Sequence, residues 1–131
     1  MCIRDSQWPI PNDLDCFFVS LYLWNKQEEL ASNEYAFAVV QEVQLKAFSD
    51  IPRTSLKIIK STASKDSIIV VLENTGTHVA LWTRVFGTNP QGKVIRPLND
   101  GMLIFPGERR NSYFHGLSAP LTWEIEGINI S

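Results

Sequence analysis

Ser67-Ile68-Ile69-Val70-Val71-Leu72-Glu73-Asn74-Thr75-Gly76 decides the fold. The run Ile68–Leu72 is dominated by β-branched residues, which favour a strand over a helix. It is far shorter than the roughly 20 residues of a membrane span, and it ends in the turn formers Asn74-Thr75-Gly76. With a period of two, Ile68, Val70 and Leu72 share one side and face a core, while Ile69 and Val71 point the other way. A strand with one side in water would carry Thr, Lys or Ser at those two positions. Either loops of this chain cover them, or they are buried against another domain. The second reading makes Ile69 and Val71 candidate domain-interface residues.

The same grammar continues on both sides of this strand. From Thr54 onward turn signals recur about every 8–12 residues. Strands are expected at Ser55–Ser61, Ser67–Glu73, Val79–Phe86, Val94–Leu98, Arg109–Phe114 and Leu121–Ile130. Ser64-Lys65-Asp66, Asn89-Pro90-Gln91-Gly92 and Phe105-Pro106-Gly107-Glu108 separate them. About seven short strands over 54–131 suit an all-β fold, an immunoglobulin-like antiparallel β-sandwich without the Cys…Trp…Cys signature of antibody domains. Asn74 and Gly76 are expected to serve a turn that needs positive φ, and Pro106-Gly107 a type II turn.

Upstream, Phe17, Val19, Leu21 and Leu23 alternate with Phe18, Ser20, Tyr22 and Trp24. The polar break Asn25–Glu29 and a partner strand at Leu30–Val40 complete a hairpin. Gln41–Asp50 has helical spacing and is closed by Ile51-Pro52, giving a linker with a short helix over 41–53. Trp8–Asp13, with two prolines, reads as an extended lead-in. Met1-Cys2-Ile3-Arg4-Asp5-Ser6 back-translates to a sequence resembling a transposon-end sequencing adaptor. Residues 1–6 are therefore expected to be foreign to the natural protein and are set aside.

Composition narrows the function. The chain has 131 residues, 44% of them hydrophobic and 20% charged, so it can pack a core. Twelve Lys+Arg against fourteen Asp+Glu give a net charge of −2, which argues against a nucleic-acid partner held through phosphates. No apolar run predicts a membrane partner. Two cysteines make neither a disulfide framework nor a structural zinc site, and the length excludes a complete (β/α)8 barrel of about 250 residues. His78 and His115 lie in turn-like contexts with no local nucleophile motif. No H-x-x-x-H, C-x-x-C or P-loop spacing occurs, so no catalytic, metal or cofactor residue is assigned and no cofactor is expected. Glu73, Glu108, Glu124 and Glu126 are carboxylates of the type glycoside chemistry uses, yet on a sandwich they read as rim charges. Trp24, Trp82 and Trp123 could stack on a sugar ring. Trp82 and Trp123 are the candidates within the sandwich, against the plainer reading of Trp as core. Asn129-Ile130-Ser131 matches a glycosylation sequon and is expected to be unused.

Three stretches resemble one family. Leu72-Glu73-Asn74-Thr75-Gly76 with Val79–Val85 is similar to a strand, "N-T-G" turn and strand found in the C-terminal immunoglobulin-like domains of family-2 glycoside hydrolases. Pro97–Arg109 is similar to their proline, Asp-Asn-containing loop and "L-P-G-E-S/T" turn, and Glu126-Gly127-Ile128-Asn129 to their closing "E-G-W-N". Gly101 and Ile128 depart from the pattern, where Asn and Trp are frequent. Within the family, exo-β-D-glucosaminidases and β-mannosidases look nearest. The resemblance spans about residues 16–130. It implies that 7–40 is the last hairpin of a preceding sandwich domain, 41–53 the linker and 54–131 the terminal sandwich. It also implies a parent enzyme that cleaves terminal β-glycosidic bonds with retention, in the periplasm or outside the cell. The two catalytic glutamates would lie in a barrel this chain lacks, so none of the matched positions is catalytic. The implied partners are that barrel and the preceding sandwich of the same polypeptide. Carbohydrate is a further candidate partner. The rival readings are a carbohydrate-binding module and an adhesion-type sandwich with no enzyme partner.

Overall fold

Ser67–Asn74 is a strand whose residues alternate between full and partial burial along its whole length. Ile68, Val70 and Leu72 enter the core as the alternation predicts. The computed structural model describes residues 16–38, 48, 50–99, 101–115 and 121–131. The hexapeptide 1–6, the lead-in 8–13 and nearly all of the helix expected over 41–50 lie outside the described residues. The chain divides into two compact units, 1–50 and 51–131.

The first unit holds a hairpin of β1 (Cys16–Asn25) and β2 (Glu28–Ala38). The second strand thus begins two residues earlier than the sequence suggests. Asn25 pairs with Glu28, leaving Lys26-Gln27 as a two-residue turn. Lys26 takes a positive φ of 56°, as the first central residue of a primed hairpin turn does. The register sets Phe17 opposite Phe37 and Val19 opposite Tyr35. Phe17 and Phe37 stack at 5.0 Å between ring centroids, and Tyr35 stacks on Phe37 at 6.1 Å.

The second unit is all-β and sandwich-like. β3 (Leu56–Ala63), β4 (Ser67–Asn74) and β8 (Arg109–His115) form one antiparallel sheet in the order β3-β4-β8. The other sheet is centred on β5 (Ala80–Thr88). Near its far end β5 pairs with β6 (Val94–Ile95) and with β9 (Thr122–Glu126), and near its beginning with β7 (Met102–Ile104). Ile68, Val70, Leu72 and Phe114 from the first sheet meet Ala80, Val85 and Ile104 from the second in one buried cluster. Trp123 closes it, with its ring tilted on Phe114 at 4.9 Å.

Three details of the sequence reading are corrected. The segment 102–104, read as part of a loop, is a strand, because Met102 and Ile104 pair with Thr83 and Ala80. Conversely, the strands expected at 94–98 and 121–130 shrink to 94–95 and 122–126. The third concerns Gly76, which does not adopt a positive φ. Its need is space: a Cβ there would lie 2.9 Å from the Ser55 nitrogen and closer still to the Thr54 hydroxyl. By contrast, the turn at Pro106-Gly107 forms as expected. Gly107 has φ 77°, and the Glu108 N–H donates to the Phe105 carbonyl at 2.9 Å, the pattern of a type II turn.

Candidate functional site

The three motif stretches meet at one end of the sandwich, and buried asparagines join them. Asn74 is fully buried. Its Oδ1 accepts from the Thr54 hydroxyl at 2.9 Å and the Gly76 N–H at 3.0 Å. Its Nδ2 donates to the carbonyls of His78 at 2.7 Å and Ile104 at 2.8 Å. The main chain of Asn74 exchanges bonds with the 105–108 turn: its N–H donates to Glu108 and its carbonyl accepts from Gly107. Asn129 does the same work for the terminal segment. Its Nδ2 donates to the carbonyls of Pro52 and Val79, and its Oδ1 accepts from the Leu81 N–H. An Asn suits both places because it offers two donors and two acceptor lone pairs to chain segments that run in different directions. With Nδ2 engaged twice and the residue 3% exposed, the sequon at Asn129 is closed to glycosylation in this fold.

The candidate carboxylates lie in ion pairs or in solvent. Glu73 pairs with Arg109, Glu108 with Arg110 at 3.0 Å, and Glu126 with Arg84 at 3.8 Å. Glu124 is exposed on β9 opposite Phe86. His78 shares a 3.1 Å hydrogen bond with its neighbour Thr77, and His115 is exposed at the end of β8. Among the described residues no three His, Cys, Asp or Glu are placed to hold a metal ion.

That leaves two outer faces. On the β3-β4-β8 sheet, Ile69 lies between Thr62 and Tyr113, and Val71 between Lys60 and Asn111. Both are half-buried, while Tyr113 is 43% exposed beside Ile69. An Asn99 clamp closes the free edge of β8: its Nδ2 donates to the Asn111 carbonyl at 2.7 Å, and its Oδ1 accepts from the Tyr113 N–H at 2.9 Å. A side chain thus occupies backbone groups that would otherwise invite strand pairing. The clamp concerns the β8 edge alone; β3 forms the other edge of this sheet.

The outer face of the second sheet carries Trp82. Between the pairs Ala80–Ile104 and Thr83–Met102 the register shifts, because β5 holds one more residue than β7 there. This is a β-bulge. Ala80 and Leu81 are consequently both fully buried, and alternation resumes one step later with Trp82 outside. Trp82 has φ 45°, a left-handed conformation that costs a bulky residue about 1–3 kcal/mol. The surrounding bonds hold it: the Leu81 carbonyl accepts from Ile128 at 3.1 Å while the Leu81 N–H donates to Asn129. Trp82, Arg84, Gly101, Glu126, Ile128 and Ile130 border an open groove of about 930 Å³.

The two candidate tryptophans are therefore not equivalent. Trp123 is packed against the core, whereas Trp82 is 39% exposed at the groove. The alternation of Val79, Leu81, Thr83 and Val85 already sets Trp82 on the other side of the strand; what it hides is the bulge that buries Ala80 beside Leu81. Comparison with family models, with curated proteins and with solved structures returns no match. The functional reading rests on the residues and their geometry.

Proposed function

We propose that this chain is a non-catalytic C-terminal accessory region of an exo-acting glycoside hydrolase of the family-2 type, such as an exo-β-D-glucosaminidase or a β-mannosidase. Its work would be structural: to dock against the catalytic barrel and the preceding sandwich of the same polypeptide. The observation that carries this reading is the hairpin. Leu21, Tyr22, Leu23, Trp24, Leu30, Tyr35 and Phe37 are all exposed on a sheet that has two strands among the described residues. A two-stranded sheet is marginal in water on its own, and so dense an apolar surface calls for a partner. Ile69 and Val71 on the immunoglobulin-like sandwich are the second docking element, and the motif resemblance supplies the enzyme class. The alternative, a carbohydrate-binding or adhesion-type sandwich with no enzyme partner, needs no such hairpin.

Sequencing the source DNA upstream of the codon for Gln7 tests the reading. The expected result is an open frame that continues into a barrel with two catalytic glutamates. A frame that truly starts at Met1 would contradict it. In the full-length enzyme, Ile69→Lys should lower thermal stability and activity together; unchanged values would remove the docking role of that face.

A further inference from the structure

We infer that the outer face of the β5–β9 sheet, built around Trp82, is a binding surface for a chain of neutral pyranose sugars. Three independent features converge on it. The bulge at Leu81–Trp82 sets the phase of β5 so that Trp82, Arg84 and Phe86 alternate with the buried Thr83, Val85 and Gly87. A slip of one residue would send that whole row into the core. The bulge and the left-handed φ thus fall directly at the exposed indole, and bulges of this kind commonly re-aim a side chain beside a site. Backbone strain held in place by surrounding bonds is likewise more frequent at functional positions than elsewhere.

The second feature is the chemistry of the row. An indole offers an apolar, electron-rich face to the C–H side of a sugar ring. Immediately beside it, Arg84 and Glu126 stand 3.8 Å apart with 40% and 59% of their side chains exposed. Together they offer planar hydrogen-bond donors and an acceptor, as vicinal hydroxyls require. Opposite charges at the same spot favour a neutral ligand over an anionic or cationic one.

Extent is the third. The Arg84–Glu126 pair divides the large groove from a smaller hollow of about 210 Å³ that Phe86, Val94, Arg96 and Pro97 border. By strand rise Trp82 and Phe86 stand about 14 Å apart, which is room for several linked rings rather than one. Gly101 borders the groove beside the indole, where a Cβ would make an ordinary contact at 3.7 Å with Trp82 Cδ1. The surface goes beyond the docking reading and does not depend on it, since a saccharide-binding face could belong to a sandwich with or without an enzyme attached.

The test is titration of the whole 131-residue chain with mannopentaose, cellopentaose and N-acetylchitopentaose, followed by calorimetry and by the Trp82 indole resonance. Binding of at least one pentaose with movement of that resonance is expected. Trp82→Gly should abolish the binding while keeping or raising the thermal midpoint, because glycine accepts the left-handed φ without strain. A merely structural tryptophan would show the reverse, with lost stability. Trp24→Ala, in the hairpin, should bind like the parent chain. The proposal is overturned if the unaltered chain binds none of the three sugars at millimolar concentration, or if Trp82→Gly binds as well as the parent chain. Neither result would touch the docking reading, which stands or falls on the upstream frame.

Discussion

The hairpin and the sandwich are built from similar residues and end in opposite situations. Both are rich in aromatic and β-branched side chains. In the sandwich, two sheets face each other and bury Phe114, Leu72, Val70 and Val85 completely. In the hairpin, Phe17, Tyr35 and Phe37 stack along one side of the strand pair, and Tyr35 and Phe37 stay exposed. The difference lies in layering. A sheet stabilises itself by covering one face with a second layer, and each square ångström of apolar surface so removed is worth about 25 cal/mol. Among the described residues of its own unit, the hairpin has the strands and no second sheet. It teaches that a strand pattern in a sequence reports which side chains want burial, and not whether the chain itself provides it.

The comparison can be broken most forcefully in the core. Phe114→Ala removes the largest fully buried side chain and the support of Trp123, and should lower the unfolding free energy of the sandwich by about 3–5 kcal/mol in urea denaturation. Asn74→Ala comes next. It strips partners from the Gly76 N–H and from the His78 and Ile104 carbonyls, for an expected loss of about 3 kcal/mol. A loss below about 1 kcal/mol there would mean that the end of the sandwich is not held by that side chain. At the small end lies Phe37→Ala in the hairpin. With 43% of the residue exposed, it should change the unfolding free energy of the sandwich by no more than about 0.5 kcal/mol.

Much of the sandwich was legible because its strands obey period two. Ile68, Val70 and Leu72 could be assigned to the core from five consecutive letters, and the turn at Pro106-Gly107 from two. What escaped was the third dimension of the pattern. Met102–Ile104 is a strand only because β5 pairs with it; alone, three apolar residues between Gly101 and Phe105-Pro106 carry no strand signal. Gly76 was rightly singled out but for the wrong need, since close approach to Thr54 cannot be read from local sequence. Strand β5 shows the same limit at the candidate site. The alternation of Val79 to Val85 already sets Trp82 outside, but the inserted residue that buries Ala80 beside Leu81 is invisible in it.

Hydrogen exchange of the whole chain, read segment by segment by mass spectrometry, tests the contrast most directly. Amides of β4, β5 and β8 should be the slowest, protected up to the global stability of the sandwich. Those of 16–38 should exchange orders of magnitude faster, as a hairpin without its covering layer must. Hairpin amides as slow as those of β4 would contradict the account, for the two strands would then stand without the partner this reading requires.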